Sequence, residues 1–263
     1  MKISIITVCF NSEETIISTL NSVISQTYNN IEHIIVDGGS TDRTLDILKE
    51  YKFKNKIIIS EPDKGIYDAM NKGINLASGE IITILNSDDI YQSPKTLSEI
   101  IIDIENNPDK DIFLGDVVFF NKNNFKKIFR YYSAKNFKTK SLLDGIMPPH
   151  PSSFIKKSVY EKYGLYNREL SIAADFEMFL RLLYVNKLEY FYTNKVIVRM
   201  RSGGKSGKNL KTYFTSTKEI VEAFRVNKLK TKYLVILARL PLKFRQFFFS
   251  SNLKLNPVFE LPK

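Results

Sequence analysis

Four apolar segments, "ISIITV" (3–8), "IEHIIVD" (31–37), "KIIIS" (56–60) and "EIITIL" (80–85), recur along the first third of the chain, and a stretch with helical spacing follows each. This alternation constrains the fold more than any other feature. After the first segment, Ile16, Leu20, Val23 and Ile24 repeat at helical intervals, with Asn11 or Ser12 as the cap. Helices are predicted again over 40–51, 65–77 and 93–105, the last opening on Ser93 and Pro94, and a fifth strand over 111–120. Only Gly73 inside 65–77 speaks against a helix there. Strands that are apolar throughout are buried on both faces. The expected class is therefore α/β, a Rossmann-like and mostly parallel sheet covered by helices.

Sheets of this kind bind ligands beyond the carboxyl ends of their strands. There the sequence places Cys9, Phe10 and Asn11; Asp37, Gly38, Gly39 and Ser40; Glu61, Pro62 and Asp63; and Asn86, Ser87, Asp88 and Asp89. The dinucleotide signature G-x-G-x-x-G is missing after the first strand, where "CFNSEE" stands, and there is no Walker phosphate loop. Asp88 and Asp89 repel one another, and a turn needs only one carboxylate. A pair at a strand end suits a hard cation, Mg²⁺ or Mn²⁺, shared with substrate phosphates. Turn chemistry is the competing reading.

Beyond residue 121 the pattern loosens. "MPPHPSSFI" (147–155) reads as a rigid loop entering a short strand, "AADFEMFLRLLY" (173–184) as a helix burying Phe176, Phe179, Leu180 and Leu183, and "RMRSGGKSG" (199–207) as a basic, glycine-rich loop. The 263 residues include one cysteine, which excludes an internal disulfide and fits a reducing compartment. The opening lacks a signal-peptide pattern, and no apolar run of about 18 residues is available to span a bilayer. The net charge of +11 resides wholly in residues 201–263, leaving 1–200 neutral. An anionic partner for the tail and a solvated helical face are equal alternatives.

The run "IITVCFNSEETIISTLNSVISQTYNNIEHIIVDGGSTDRT", continued by "SEPDKGIYDAMNKGINLASGEIITILNSDD", resembles family 2 glycosyltransferases, inverting nucleotide-sugar enzymes of the GT-A fold, and within them the bacterial surface-polysaccharide branch. The resemblance spans residues 1 to about 205. It implies a catalytic domain over 1–205, with a nucleotide half (1–120) and an acceptor half (121–205), and a basic, apolar helical tail over 206–263.

Carried over residue by residue, the resemblance implies nucleotide contacts from Thr7, Cys9, Phe10, Asn11, Glu13, Asp37 and Ser40. Asp37 would accept from a uracil imide; as a bare sequence feature it reads first as a turn residue before "GG". Asp63 and Lys64 would lie near base and phosphates, and Lys72 near the diphosphate or on a solvated helix face. The family's D-x-D motif falls on Asn86–Ser87–Asp88, departing at Asn86, with Asp88 near ribose or metal water and Asp89 as the direct metal ligand. Asp175 takes the general-base position, although it also fits a helix N-cap; Glu177 ranks behind it. His150 falls on the acceptor side, and Arg199, Arg201 or Lys205 would supply charge over the diphosphate.

The chain has no tryptophan and so lacks the Q-x-x-R-W motif of processive relatives, which implies one sugar per encounter. "TKYLVILARLPLKFRQFFFS" (231–250) is interrupted by Arg239 and Pro241 and suits a helix lying on an anionic membrane. The resulting expectation is a cytoplasmic, peripheral membrane transferase using Mn²⁺ or Mg²⁺. Its donor would be a UDP-sugar, and its acceptor a glycan or lipid-linked oligosaccharide of lipopolysaccharide or capsule type. Two alternatives stand beside it: an inactive sugar-nucleotide binder, and a nucleic-acid binder, which the neutral first 200 residues disfavour. The tail could equally pack on the domain or in a homodimer.

Overall fold

The structure, a computed structural model, describes residues 1–121, 124–202 and 210–230. Strands β1 (Ile3–Cys9), β2 (Ile31–Asp37), β3 (Lys56–Ser60) and β4 (Ile81–Ile84) run parallel in the order β3-β2-β1-β4. Every residue of β1 and β2 is buried, which is why they read as continuous apolar runs.

The faces nonetheless alternate. Ile6, Val8, Ile34, Val36, Ile82 and Ile84 pack against α3 (Ile66–Leu76). On the opposite face, Ile3, Ile5, Ile31 and Ile81 meet α4 (Thr96–Asn106), and Cys9 and Ile35 meet α1 (Ile16–Ile24) and α2 (Thr44–Glu50). Gly73 lies in the middle of α3, where a Cβ would stand 2.4 Å from the Ile6 side chain. The glycine that weakens the helix on propensity is what lets α3 press onto β1.

The second half departs from a purely parallel sheet. β6 (Ile112–Asn121) pairs antiparallel with β8 (Ser153–Lys156), which pairs antiparallel with β4 and so joins the halves. The loosely patterned stretch after 121 includes β7 (Asn124–Tyr132), an antiparallel hairpin partner of β6. β9 (Tyr190–Arg201) runs parallel to β6 and pairs antiparallel with the short β5 (Ile90–Tyr91). Arg199 and Arg201 therefore belong to a strand, not to the expected loop; residues 203–207 of that loop, with Lys205, lie outside the described residues.

After α5 (Lys157–Tyr163), the helix expected over 173–184 divides into α6 (Ala174–Phe179) and a π-helical stretch through Val185. Its four expected apolar residues are all buried. α7 (Leu210–Val226) packs on α6 through Phe224 and Phe176, whose rings lie 6.0 Å apart, and shares their core. No helix among the described residues is long and apolar enough to cross a membrane. Residues 231–250 lie outside the described residues.

Candidate active site

The ends of β1, β2 and β4 are stitched into one rim. Asn11, in a left-handed turn at φ 49°, donates its amide to Ser40 Oγ at 2.8 Å and accepts the Thr41 amide at 2.9 Å. Ser12 and Ser87 share a hydroxyl contact of 2.9 Å that joins β1 to the "NSDD" turn. Glu13 accepts the Arg43 amide at 2.9 Å, fastening the start of α2. Phe10 is half exposed beside these turns. Asp63 joins them from the β3 loop: a Cβ on Gly38 would stand 2.3 Å from its Oδ2, so glycine is what admits that carboxylate.

Asp37 itself is fully buried. Its Oδ2 accepts the Gly39 amide at 3.1 Å, the Ser40 amide at 3.0 Å and the Ser60 hydroxyl at 2.7 Å, while Oδ1 accepts Ser40 Oγ. These contacts spend most of the acceptor capacity of the carboxylate on building the turn. Cys9 Sγ leans on the same carboxylate at 3.7 Å, and burial pushes its thiol pKa up.

The adjacent aspartates behave differently. Asp89 is fully buried; the Asn86 amide donates to its Oδ2 at 3.2 Å, and its Oδ1 has no partner. Asn86 Oδ1 is likewise buried and unpartnered. Burial, then repulsion from Asp88, pushes the Asp89 carboxyl well above the usual range. Asp88 is raised by burial too, with Arg201 pulling the other way. Arg201 approaches from β9, donating to Ser18 Oγ at 3.1 Å and resting 5.4 Å from the Phe120 ring centre. Two desolvated carboxylates beside orphaned oxygens form a donor set that fits a hard divalent cation with substrate phosphate completing its shell. Among the described residues no group of three or more His, Cys, Asp or Glu side chains gathers as a metal cluster.

Asp175 lies in the first turn of α6, but it is not the cap. That position is Ala173, and the amides of Ile172 and Ala173 donate instead to Glu219 of α7 at 2.7 and 2.9 Å. Glu219 thus fastens the segment entering α6, a tie that local sequence does not reveal, and the cap position itself makes no side-chain bond. Asp175 accepts the Phe176 amide at 2.7 Å and interacts with the Tyr67 hydroxyl.

Several expected site residues have other occupations. Thr7 is buried inside β1, with its hydroxyl 2.9 Å from His33 Nε2. Lys72 is bound to Glu61 at 2.7 Å and to the Pro62 carbonyl at 3.0 Å, while Lys64 is exposed. Arg199 is buried and donates to Gln92 at 2.9 Å. Glu177 is buried in an ion pair with Arg181 at 3.0 Å and accepts from Asn227 at 3.0 Å, joining α6 to the end of α7. His150 is buried 2.6 Å from the Tyr166 hydroxyl, and burial lowers its pKa to about 4, so it is neutral near pH 7. Tyr67, Asn71, Tyr166 and Glu219 escaped the sequence reading, although Tyr67 and Asn71 stand in the quoted "GIYDAMNKG".

The fold is that of GT-A glycosyltransferases. The structure aligns with S. aureus TarS 1-349 in complex with UDP-GlcNAc at a TM-score of 0.67 and 20% identity, covering 95% of this chain and 74% of that one. It aligns with the mannosyltransferase PcManGT from Pyrobaculum calidifontis, in complex with GDP-Man and Mn²⁺, at 0.63 and 15%, covering 92% and 69%. In sequence, the chain is 30% identical over 204 residues to a PGL/p-HBAD biosynthesis glycosyltransferase of Mycobacterium bovis, covering 76% of this chain and 77% of that protein. With a glycosyltransferase of Mycobacterium tuberculosis described as uncharacterized it shares 33% over 185 residues, 70% and 69% of the two chains. The model of the family Glycosyl transferase family 2 matches residues 4–164, and the chain belongs to that family.

Proposed function

We propose that this glycosyltransferase moves one sugar per encounter, with inversion, from a UDP-sugar to a hydroxyl of a growing, lipid-linked surface glycan. The observation that carries the reading is the buried Asp89 beside the partly buried Asp88, with the orphaned oxygens of Asn86 and Asp89, at the end of β4. Asp89 and Asp88 would hold Mn²⁺ or Mg²⁺. Bound there, a divalent ion supplies the charge that neutralises a departing diphosphate. Arg201, beside the pair, adds a fixed positive charge on the same side.

Phe10 and Asp63 form the lip that meets the nucleobase, over a floor that Asp37 and Ser40 hold rigid. Asn11 and Glu13 fix the neighbouring loops and so shape the ribose side. The choice of UDP is supported by TarS, whose structure holds UDP-GlcNAc; the PcManGT complex holds GDP-Man. Asp175 would take the proton from the acceptor hydroxyl as that oxygen attacks the anomeric carbon. Asp175 is not at the cap position, which is Ala173, and the segment entering the helix is held by Glu219. The tail over 231–250 would rest on the cytoplasmic leaflet, where a lipid-linked acceptor is found.

Calorimetry of UDP binding tests the donor site. With Mn²⁺ present, UDP binds the wild type, and either EDTA or Asp89→Ala weakens binding by more than tenfold. Metal-independent binding of equal strength in both proteins contradicts the assignment of the aspartate pair.

A further inference from the structure

One face of α3 holds the acceptor half of the molecule against the donor loop. Asn71 donates to the Tyr166 carbonyl at 2.9 Å and accepts the Tyr166 amide at 3.0 Å, a closed pair of backbone bonds across the two halves. One turn earlier on the same face, the Tyr67 hydroxyl donates to the Ile172 carbonyl at 2.8 Å, and its ring stacks on Tyr166 with centroids 5.6 Å apart. That hydroxyl also reaches Asp175, three residues beyond Ile172. Asp68, next in line, divides its carboxylate: Oδ2 accepts the Lys64 amide at 3.1 Å, and Oδ1 accepts Arg168 at 2.9 Å. Asp63 closes the loop by accepting the Gly65 amide at 2.8 Å. All four contact points of the acceptor half, Tyr166, Arg168, Ile172 and Asp175, lie in the single stretch that runs into the first turn of α6.

Tyr67, Asn71 and Tyr166 are each at most 7% exposed, so these bonds are made out of water and in fixed geometry. The loop 62–65 is continuous with the first turn of α3. A displacement of that loop by a nucleotide is therefore passed to 166–175 through the α3 face, where Asp68 bonds both loop and segment and Tyr67 and Asn71 grip the segment.

We propose that Tyr67 and Asn71 are positioning residues that couple occupancy of the donor loop 62–65 to the placement of Asp175. The inference rests on the donor and general-base roles proposed above. The coupling requires no hinge or lid, only that the α3 face moves with the loop. An inverting transfer gains from it because the base then stands ready only over a bound donor.

Hydrogen–deuterium exchange of the full chain, with and without UDP and Mn²⁺, tests the coupling. In the wild type, UDP is expected to slow exchange in peptides covering 61–68 and, in parallel, in those covering 164–176. Tyr67→Phe keeps the ring stack and removes the hydroxyl; Asn71→Ala removes the paired backbone bonds. Both variants should bind UDP within about twofold of the wild type and keep the protection at 61–68, while losing at least half of it at 164–176. A merely structural role would shift exchange equally with and without UDP. Protection of 61–68 alone in the wild type, or undiminished protection of 164–176 in both variants, overturns the coupling and leaves the donor site standing. Protection of neither segment by UDP overturns the donor reading, and the coupling falls with it.

Discussion

At the scale of single residues, the site is kept at the expense of stability. Asp89 is a buried carboxylate with an unpartnered oxygen and a like charge beside it. Such a group destabilises the metal-free fold by about 1–3 kcal/mol. Asp89→Asn is therefore expected to raise the melting temperature of EDTA-treated protein by about 2–4 °C while lowering Mn²⁺-dependent UDP affinity more than tenfold. A lowered melting temperature with unchanged affinity would mark Asp89 as a turn residue.

His33 gives a pH test of the core. Burial holds its imidazole pKa down to about 3, against about 6.5 in the unfolded chain. Between those values the unfolded chain takes up a proton that the folded chain refuses. Stability from this residue is thus whole above pH 6.5 and declines as the pH falls, by about 1.4 kcal/mol per unit. In urea titrations between pH 6 and 5, His33→Gln should show a shallower decline than the wild type by about that slope; equal slopes would place the ring in water. The resemblance assigns Asp37 and Thr7 to the nucleotide; in the structure Asp37 bonds Gly39, Ser40 and Ser60, and Thr7 lies against His33. Position at a strand end is legible in a sequence, whereas the bonds a side chain already makes are not.

Among elements, legibility followed the hydrophobic period. β1 to β4 and the helices between them show it clearly, because each strand is covered on both faces and each helix buries one stripe. β7 and β9 lack it. "YFYTNKVIVRMR" mixes polar and half-buried residues and becomes a strand only by pairing with β6, 112–121, far away in sequence. The tie that fastens the entry to α6 was equally hidden, since Glu219 arrives from α7, more than 40 residues on.

This arrangement separates two neighbouring acids. Glu177→Ala breaks a buried pair with Arg181 and the tie to Asn227, and should destabilise the fold by about 3–5 kcal/mol in urea unfolding while leaving UDP affinity unchanged in the folded protein. Asp175→Asn should leave the melting temperature within about 2 °C. An equal loss of stability in both variants would assign Asp175 to the scaffold.

At the scale of the whole molecule, charge divides the chain. Residues 1–200 are neutral, and the excess of +11 lies beyond them. α7 carries part of that charge and packs into the common core, so basic character and membrane contact are not the same thing. Flotation with liposomes containing anionic lipid should carry the full chain upward at low salt and release it at high salt. A chain that stays unbound at low salt contradicts the peripheral placement.

The central claim is that the paired aspartates and Asp175 together make a metal-dependent transferase. Its most direct test is nucleotide release from a panel of UDP-, GDP- and dTDP-sugars, in Mn²⁺, Mg²⁺ and EDTA, by wild type, Asp89→Ala and Asp175→Asn. The account predicts metal-dependent release of UDP by the wild type, at least a hundredfold slower in both variants, with Asp175→Asn still binding UDP. Release that persists in EDTA, or undiminished release by Asp175→Asn, would contradict it.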